Sequence, residues 1–297
     1  MVKVDESSTL TARFEEHRSH LRAVAYRMLG SLSEADDAVQ EAWLRLDRSD
    51  TGEVENLGGW LTTVVSRVCL NMLRSRRTRR EDSIDAYPTD PAAGREEAVD
   101  PEQEALMADS VGLALLVVLD KLSPAERLTF VLHDMFSVSF DEIAEMIEKT
   151  PAATRQLASR ARRRVKGVPL VPDADLARRR VVVDAFLAAT RGGNFDALVA
   201  LLHPGVVLTA DTAVGPSPKP IVVRGAVPVA TGAMAAMQRA LATQTALVDG
   251  TVGLAMAPFG RLFLVLRFTV EDGLISAIDV VAEPERLGGI EIAVLDA

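Results

Sequence analysis

Trp60, Arg67, Asn71 and Arg74 recur at helical spacing along WLTTVVSRVCLNMLRSRRTRR, a stretch with six arginines and no acid. An aromatic ring can stack on a base, a carboxamide can hydrogen-bond a base edge, and guanidinium groups can neutralise phosphate. At 100° per residue these four fall on one side of a helix, opposite Leu61, Val65, Val68 and Met72. Arg76, Arg77 and Arg80 extend the charge beyond them. The plain alternative is an amphipathic helix with a solvated basic end, which the helix dipole favours. A second acid-free stretch, PAATRQLASRARRRVK, weighs against it. There Ala153, Leu157 and Ala161 are expected inward. Arg155, Ser159, Arg162 and Lys166 then point outward, flanked by Gln156, Arg160 and Arg163. Arg pairs with guanine and Gln with adenine in a major groove. A third set is acidic. In SEADDAVQEAWLRL the apolar residues Ala35, Ala38, Val39, Ala42, Trp43 and Leu46 follow the helical rule, leaving Asp36, Asp37, Gln40 and Glu41 on the surface. These acids are either ordinary N-terminal helix residues or a docking face for a basic partner.

The elements that must position these residues are mostly helical. Residues 10–30 read as a helix with Phe14, Leu21, Ala25 and Met28 inward, ended by Gly30. Ser33 is expected to cap the next helix, and Asn56-Leu57-Gly58-Gly59 to break the chain before Trp60. Residues 81–105 hold nine acids, one base and three prolines, the composition of a flexible, self-repelling linker. Ser123-Pro124 with Glu126 then opens a helix with an N-cap and an N1 proline. SFDEIAEMIEK is a short amphipathic helix with Phe140, Ile143, Ala144 and Ile147 inward, and Thr150-Pro151 opens the next after a tight turn at Lys149. Two short helices, a tight turn and a helix with outward bases read as a helix-turn-helix, whose second helix lies in the major groove. From Asp173 a third unit follows: two helices, then the β-type runs VVLTAD, PIVVRG, TALVDGTVGLAMA and RLFLVLRFTVEDGLISAIDVVAE, with a hairpin turn at Glu271-Asp272-Gly273. Helices first, then an antiparallel sheet, is an α+β arrangement.

Composition sets the bounds. A chain of 297 residues with 48% hydrophobic residues can form two or three packed domains. Cys69 is the lone cysteine, which excludes an intramolecular disulfide and a Cys-cluster zinc site; no metal ligand set and no cofactor are expected. No signal segment and no apolar run of the ~20 residues needed to span a bilayer are present, so a cytoplasmic location is expected. The formal net charge is −9. Residues 173–297 hold 13 acids and 10 bases, the rest 29 and 23. Neither part coats nucleic acid non-specifically, so discrete basic helices must carry any such contact.

In this order and spacing, SEADDAVQEAWLRL, GGWLTTVVSRVCLNMLRSRRTRRE and LSPAERLTFVLHDMFSVSFDEIAEMIEKTPAATRQLASRARRRV resemble a bacterial sigma factor. The likeness is to the extracytoplasmic-function type, which retains sigma domains two and four. Residues 173–297 resemble a SnoaL-like domain of the NTF2-like fold, a combination that matches the sigma-J type subgroup. Some relatives carry a glycine-rich Asp-to-Lys motif in that domain; the matching segment here, Asp211 to Lys219, lacks the run of glycines. The resemblance implies a multidomain fold: sigma domain 2, a helical bundle, over 1–80; an acidic linker over 81–109; sigma domain 4, the helix-turn-helix, over 110–168; and an α+β NTF2-like regulatory domain over 173–297. It implies that Asp36, Asp37, Gln40 and Glu41 meet the β′ coiled-coil clamp of core RNA polymerase, the β subunit being a further contact. Trp60, Arg67, Asn71, Arg74, Arg76, Arg77 and Arg80 would engage the −10 element of promoter DNA. Thr154, Arg155, Gln156, Ser159, Arg160 and Arg162 would engage the −35 element. The linker would thread a basic RNA-exit channel. A small ligand and an anti-sigma protein stay open as further partners, and no membrane is implied.

The fold of the last domain decides nothing about its role. An isomerase-type pocket wants an oxyanion donor such as Tyr and a base such as Asp or His. The only tyrosines, Tyr26 and Tyr87, lie outside it. His203 reads as a capping or surface residue, and Asp211, Asp249 and Asp279 as turn or strand-edge residues without an evident partner. Met234, Met237 and Met256 could line an apolar ligand cavity or be plain core. The expectation is no catalytic residue and regulation of the sigma domains in cis. Two other readings stand beside it: a free-standing helix-turn-helix regulator with a ligand-sensing NTF2-like domain, and a SnoaL-like enzyme with a tethering N-terminal half.

Overall fold

The computed structural model describes residues 2–49, 56–82, 112–215 and 219–295. They form two units. One joins residues 1–106 with 122–162; the other joins 107–121 with 163–297. The stretch 110–168 expected as one domain is thus divided between them, and most of the expected linker lies outside the described residues.

The first unit opens with three helices, α1 (Val2–Leu29), α2 (Leu32–Asp47) and α3 (Leu57–Asp82). Their apolar stripes face one another: Phe14, Leu21 and Met28 of α1, Ala35, Val39 and Leu46 of α2, and Leu61, Val65 and Val68 of α3 are all buried. Gly30 ends α1 at φ +75°, where its N–H donates to the Tyr26 carbonyl at 2.7 Å and a side chain would be strained. Ser31, not Ser33, occupies the N-cap of α2, and no side chain caps it there. The expected break at Asn56–Gly59 is instead the start of α3. The Asn56 carboxamide oxygen accepts from the Gly59 N–H at 2.9 Å, and Gly58 leaves the space that the His17 ring fills. Cys69 is buried in this core, and burial pushes its thiol up to about 12.

Still in this unit, α5 (Pro124–Phe130) runs on into a π-helical turn (Val131–Met135), followed by α6 (Phe140–Met146) and α7 (Pro151–Lys166), whose residues from Arg163 on fall in the second unit. Ser123 with Glu126 and Ser139 with Glu142 form full capping boxes, which satisfy otherwise orphaned N–H groups at both helix starts. Thr150 caps α7 by accepting from the Ala153 N–H at 3.2 Å. Phe140 is only half buried. Its ring stacks on His133 at 3.8 Å, and Arg155 lies 5.6 Å from its centroid. Arg127, only 3% exposed, donates from Nε and Nη2 to the Arg27 carbonyl, each at 3.2 Å. It thereby satisfies a carbonyl of the last turn of α1.

The second unit is a seven-stranded sheet in the order β2-β1-β6-β5-β4-β3-β7. Its strands are β1 (Leu202–Ala210), β2 (Ile221–Arg224), β3 (Thr243–Val248), β4 (Thr251–Met256), β5 (Leu264–Glu271), β6 (Leu274–Val281) and β7 (Ile292–Ala293). All neighbours are antiparallel except β1 and β6. The run TALVDGTVGLAMA divides into two strands at Asp249-Gly250, where φ is +45° and +74°, the double left-handed geometry of a tight hairpin. Asp272-Gly273 makes the second such turn. One face of the sheet is covered by α8 (Asp173–Arg191), α9 (Phe195–Leu201) and α10 (Ala226–Ala235) through Val183, Phe186, Leu198, Val229, Phe268 and Ile278. No element was expected at α10, whose Ala-rich sequence carries almost no amphipathic signal, or at α11 (Met237–Ala240), a single turn too short to show a period. Against a second apolar cluster of the sheet lie α4 (Leu113–Lys121) and α12 (Pro284–Gly289), with Ala114, Val117, Val118 and Leu287 in the same buried cluster as Val265 and Val281.

Candidate nucleic-acid interface

On α3 the stripe leaves Arg67, Asn71, Arg74 and Arg77 exposed and Trp60 half buried. Residues 60, 67, 71 and 74 share one helical face, so a ring, a carboxamide and two guanidinium groups are presented together. Arg74, Arg77 and Thr78 also border a cleft of about 320 Å³ whose other wall is Ser123, Pro124 and Ala125. Arg76 goes elsewhere. It is half buried, donates to the Leu29 carbonyl at 3.2 Å and forms an ion pair with Glu34. That side chain fastens the corner between α1 and α2, so the expectation of a phosphate contact from Arg76 is corrected. The side chain of Arg80 lies outside the described residues.

Helix α7 is rotated by one residue from the expected phase. Thr154, Ala158 and Ala161 are fully buried, while Ala153 and Leu157 are only partly so. Thr154 cannot read a groove from there. Its hydroxyl donates to the Thr150 carbonyl at 3.0 Å, which removes the cost of burying it. Alanine and threonine are too small and too alike in burial preference for sequence to fix this phase. Arg155, Gln156, Ser159 and Arg160 are exposed. Arg162 is half buried, 2.5 Å from the Asp134 carboxylate on the π-helical turn.

On α2, Asp36, Asp37 and Gln40 are exposed and Glu41 is partly so. Arg22 of α1 takes Asp36 with both ends of its fork, at 2.7 and 3.0 Å. Arg45 holds Glu41 at 2.9 Å one turn away. Leu44, an exposed large apolar side chain, lies one turn beyond Gln40 and two beyond Asp37. An acid, an amide and an apolar side chain on one face suit a protein partner better than water alone. Leu44 was missed because it fell outside the charge pattern.

The acids of the sheet unit do have partners. Asp211 is buried, and its Oδ2 accepts from the N–H groups of Ala282 and Glu283, both at 2.8 Å. Arg286 lies between Asp211 at 3.4 Å and Asp279 at 3.3 Å. Arg267, opposite Asp279 in the β5–β6 register, bridges Asp279 at 3.4 Å and Asp249 at 3.2 Å. The three carboxylates are therefore links in an ion chain across the strands rather than bases poised over a pocket. His203 is exposed in β1, its Nδ1 accepting from the Gly205 N–H at 3.1 Å. Met256 is core, with Met234 packed against it. Among the described residues no cluster of His, Cys, Asp and Glu could hold a metal ion, and no helix is long and apolar enough to cross a membrane.

The family described as Sigma-70 region 2 matches residues 13–79, and Sigma-70, region 4 matches residues 112–165. The ECF RNA polymerase sigma factor SigJ of Mycobacterium tuberculosis (strain ATCC 25618 / H37Rv) is 39% identical, over 94% of this chain and 93% of its own. A probable ECF RNA polymerase sigma factor, SigI, of the same species (strain CDC 1551 / Oshkosh) is 37% identical over 71% of this chain and 73% of its own. The crystal structure of the Mycobacterium tuberculosis SigJ superposes with a TM-score of 0.44 at 33% identity, covering 94% of this chain and 98% of the other. With both sigma regions in place and a relative this similar along nearly its whole length, the chain belongs to the extracytoplasmic-function RNA polymerase sigma factors.

Proposed function

We propose that this sigma factor, a transcription initiation factor rather than an enzyme, divides its work among three faces and is regulated in cis by its sheet unit. Core RNA polymerase is met by α2 through Asp37 and Gln40, with Leu44 alongside and with Asp36 and Glu41 held in place by Arg22 and Arg45. The −10 element lies against α3, where Trp60 supports an unstacked base and Arg67, Asn71 and Arg74 hold its edge and backbone, Arg77 adding charge. The −35 element is read by Arg155, Gln156, Ser159 and Arg160 of α7. The work is cytoplasmic, where polymerase and promoter are. The observation that carries this reading is the single face of α3 that gathers an aromatic ring, an amide and guanidinium groups with no acid among them. The sheet unit resembles an NTF2-like module and acts on the sigma regions rather than on a substrate, since Asp211, Asp249 and Asp279 are spent on arginines and backbone.

Two measurements test it. Asn71→Ala should cut promoter opening by holoenzyme, read by permanganate reactivity of −10 thymines, about 10-fold or more, a loss on the scale of one base-specific contact. Unchanged reactivity would remove α3 from the −10 assignment. Run-off transcription with a chain ending at residue 172 should differ from that with the full chain, and equal transcript levels would overturn regulation in cis.

A further inference from the structure

Two outward arginines of α7 are held by the elements just before it, and they are held differently. The guanidinium carbon of Arg155 lies over the Phe140 ring of α6, 5.6 Å from its centroid. Arg162 Nε donates to the Asp134 carboxylate of the π-helical turn at 2.5 Å. Residues 155 and 162 stand two turns apart on one face of the helix. A guanidinium over a ring is attracted through its charge and gives none of its N–H donors to an acceptor atom. An ion pair with a carboxylate does give them up. Arg155 therefore keeps its five-donor fork, and among the described residues no carboxylate pairs with it. Arg162 has already committed its Nε.

The ring beside Arg155 is itself fixed. Phe140 is the first residue of α6, directly after Ser139, whose hydroxyl donates to Glu142 Oε2 at 2.6 Å and accepts from the Glu142 N–H at 3.3 Å. The His133 imidazole stacks on the ring, with centroids 3.8 Å apart and planes 26° from parallel. His133 Nδ1 lies 2.9 Å from the Val138 carbonyl. A carbonyl only accepts, so Nδ1 carries the proton, and the imidazole cannot turn over without losing that bond. The turn that carries it is closed by the Val138 N–H, which donates to the Leu132 carbonyl at 2.9 Å. An imidazole, a phenyl ring and a guanidinium are thus gathered in one cluster. His133 and Phe140 are its half-buried members and Arg155 its exposed one.

We propose that Phe140, seated on His133, is a positioning residue that aims Arg155 at a guanine of the −35 element, while Asp134 withdraws Arg162 from the bases. Arginine pairs with guanine O6 and N7 through two parallel N–H donors. A guanidinium resting on a ring presents those donors while it stays in place. A free arginine loses much side-chain freedom when a base orders it, and one already held loses less. The platform thus favours the duplex whose guanine meets Arg155 where it already lies. This role of Phe140 rests on the assignment of α7 to the −35 element.

Holoenzyme made with the full chain and offered a pool of randomised promoter duplexes provides the test, because sequencing the bound fraction reads the preference at every position. Arg155→Ala should erase the preference for one −35 guanine, a loss of about 5- to 150-fold, the span of a bidentate pair. Phe140→Leu keeps an apolar side chain at a half-buried position and removes the ring. It should weaken the preference for that same guanine about 2- to 5-fold, the span of an exposed cation–π contact, and leave the other positions as they were. Phe140→Tyr, which keeps the ring, should retain the wild-type preference. Added to Arg155→Ala, Phe140→Leu should change nothing further. Arg162→Ala should leave every base preference intact. A Phe140→Leu holoenzyme with wild-type preferences overturns the platform, as does one that binds all duplexes more weakly to the same degree. A guanine preference lost in Arg162→Ala and kept in Arg155→Ala reverses the two roles and overturns it too. If Arg155→Ala, Gln156→Ala and Arg160→Ala all leave the −35 preferences untouched, the assignment of α7 to that element fails, and the role of Phe140 with it.

Discussion

Thr154 is buried and Arg160 exposed on the same helix, so their removal should read out differently. Thr154→Ala deletes a satisfied buried hydroxyl and should lower thermal stability by about 1 kcal/mol, leaving −35 sequence preference unchanged. Arg160→Ala should leave stability within about 0.5 kcal/mol and weaken −35 duplex binding by roughly 1–3 kcal/mol if it reads a base. Melting curves and duplex titrations on both variants check this, and a stable Thr154→Ala protein with altered base preference would reverse the assignment. The residue scale is also where sequence fell short. Six arginines announce a basic helix, but the engagement of Arg76 with Glu34 and Leu29 depends on how α1 turns into α2. The acids Asp36 and Glu41 likewise look free in the chain and are steered by Arg22 and Arg45 in the fold.

At the scale of elements, α2, α3 and α6 were legible because their stripes keep the helical period, and α5 and α7 because Ser123 and Thr150 stand where caps must. The destination of α4 was not, since LALLVVLDK is apolar on every side and names no partner. Packing among elements of the first unit also carries a pH response. His20 of α1 lies 3.3 Å from the Thr62 hydroxyl of α3, and its ring meets Phe136 edge-on at 5.2 Å. Burial, then the neighbouring His17, lowers its pKa below 6.5. The folded form thus favours the neutral ring, so the unfolded chain binds the proton more readily. This stabilising contribution is complete above pH 6.5 and declines as pH falls through 6.5 toward the lower folded value. His20→Gln should flatten that part of the curve of melting temperature against pH, and an unchanged slope between pH 7 and 5 would show that His20 does not supply it.

For the whole molecule, a chain of net charge −9 must bind a polyanion through local charge, which the proposed function assigns to α7, where Arg155, Arg160, Arg163 and Lys166 are exposed. If about four phosphates are neutralised, −35 duplex affinity of the full chain should fall about 100-fold between 50 and 200 mM salt. A flat salt dependence would show that α7 does not lie on DNA. The central claim, that this chain directs core RNA polymerase to a promoter, is tested most directly by pull-down of core polymerase followed by run-off transcription, with wild type beside Asp37→Lys. Asp37 is exposed, and its reversal leaves the Arg22–Asp36 and Arg45–Glu41 pairs untouched. Stable binding and a promoter-dependent transcript in the wild type, both sharply reduced in Asp37→Lys, are the predicted results. A wild-type chain that binds no polymerase, whole or ending at residue 172, would contradict the account.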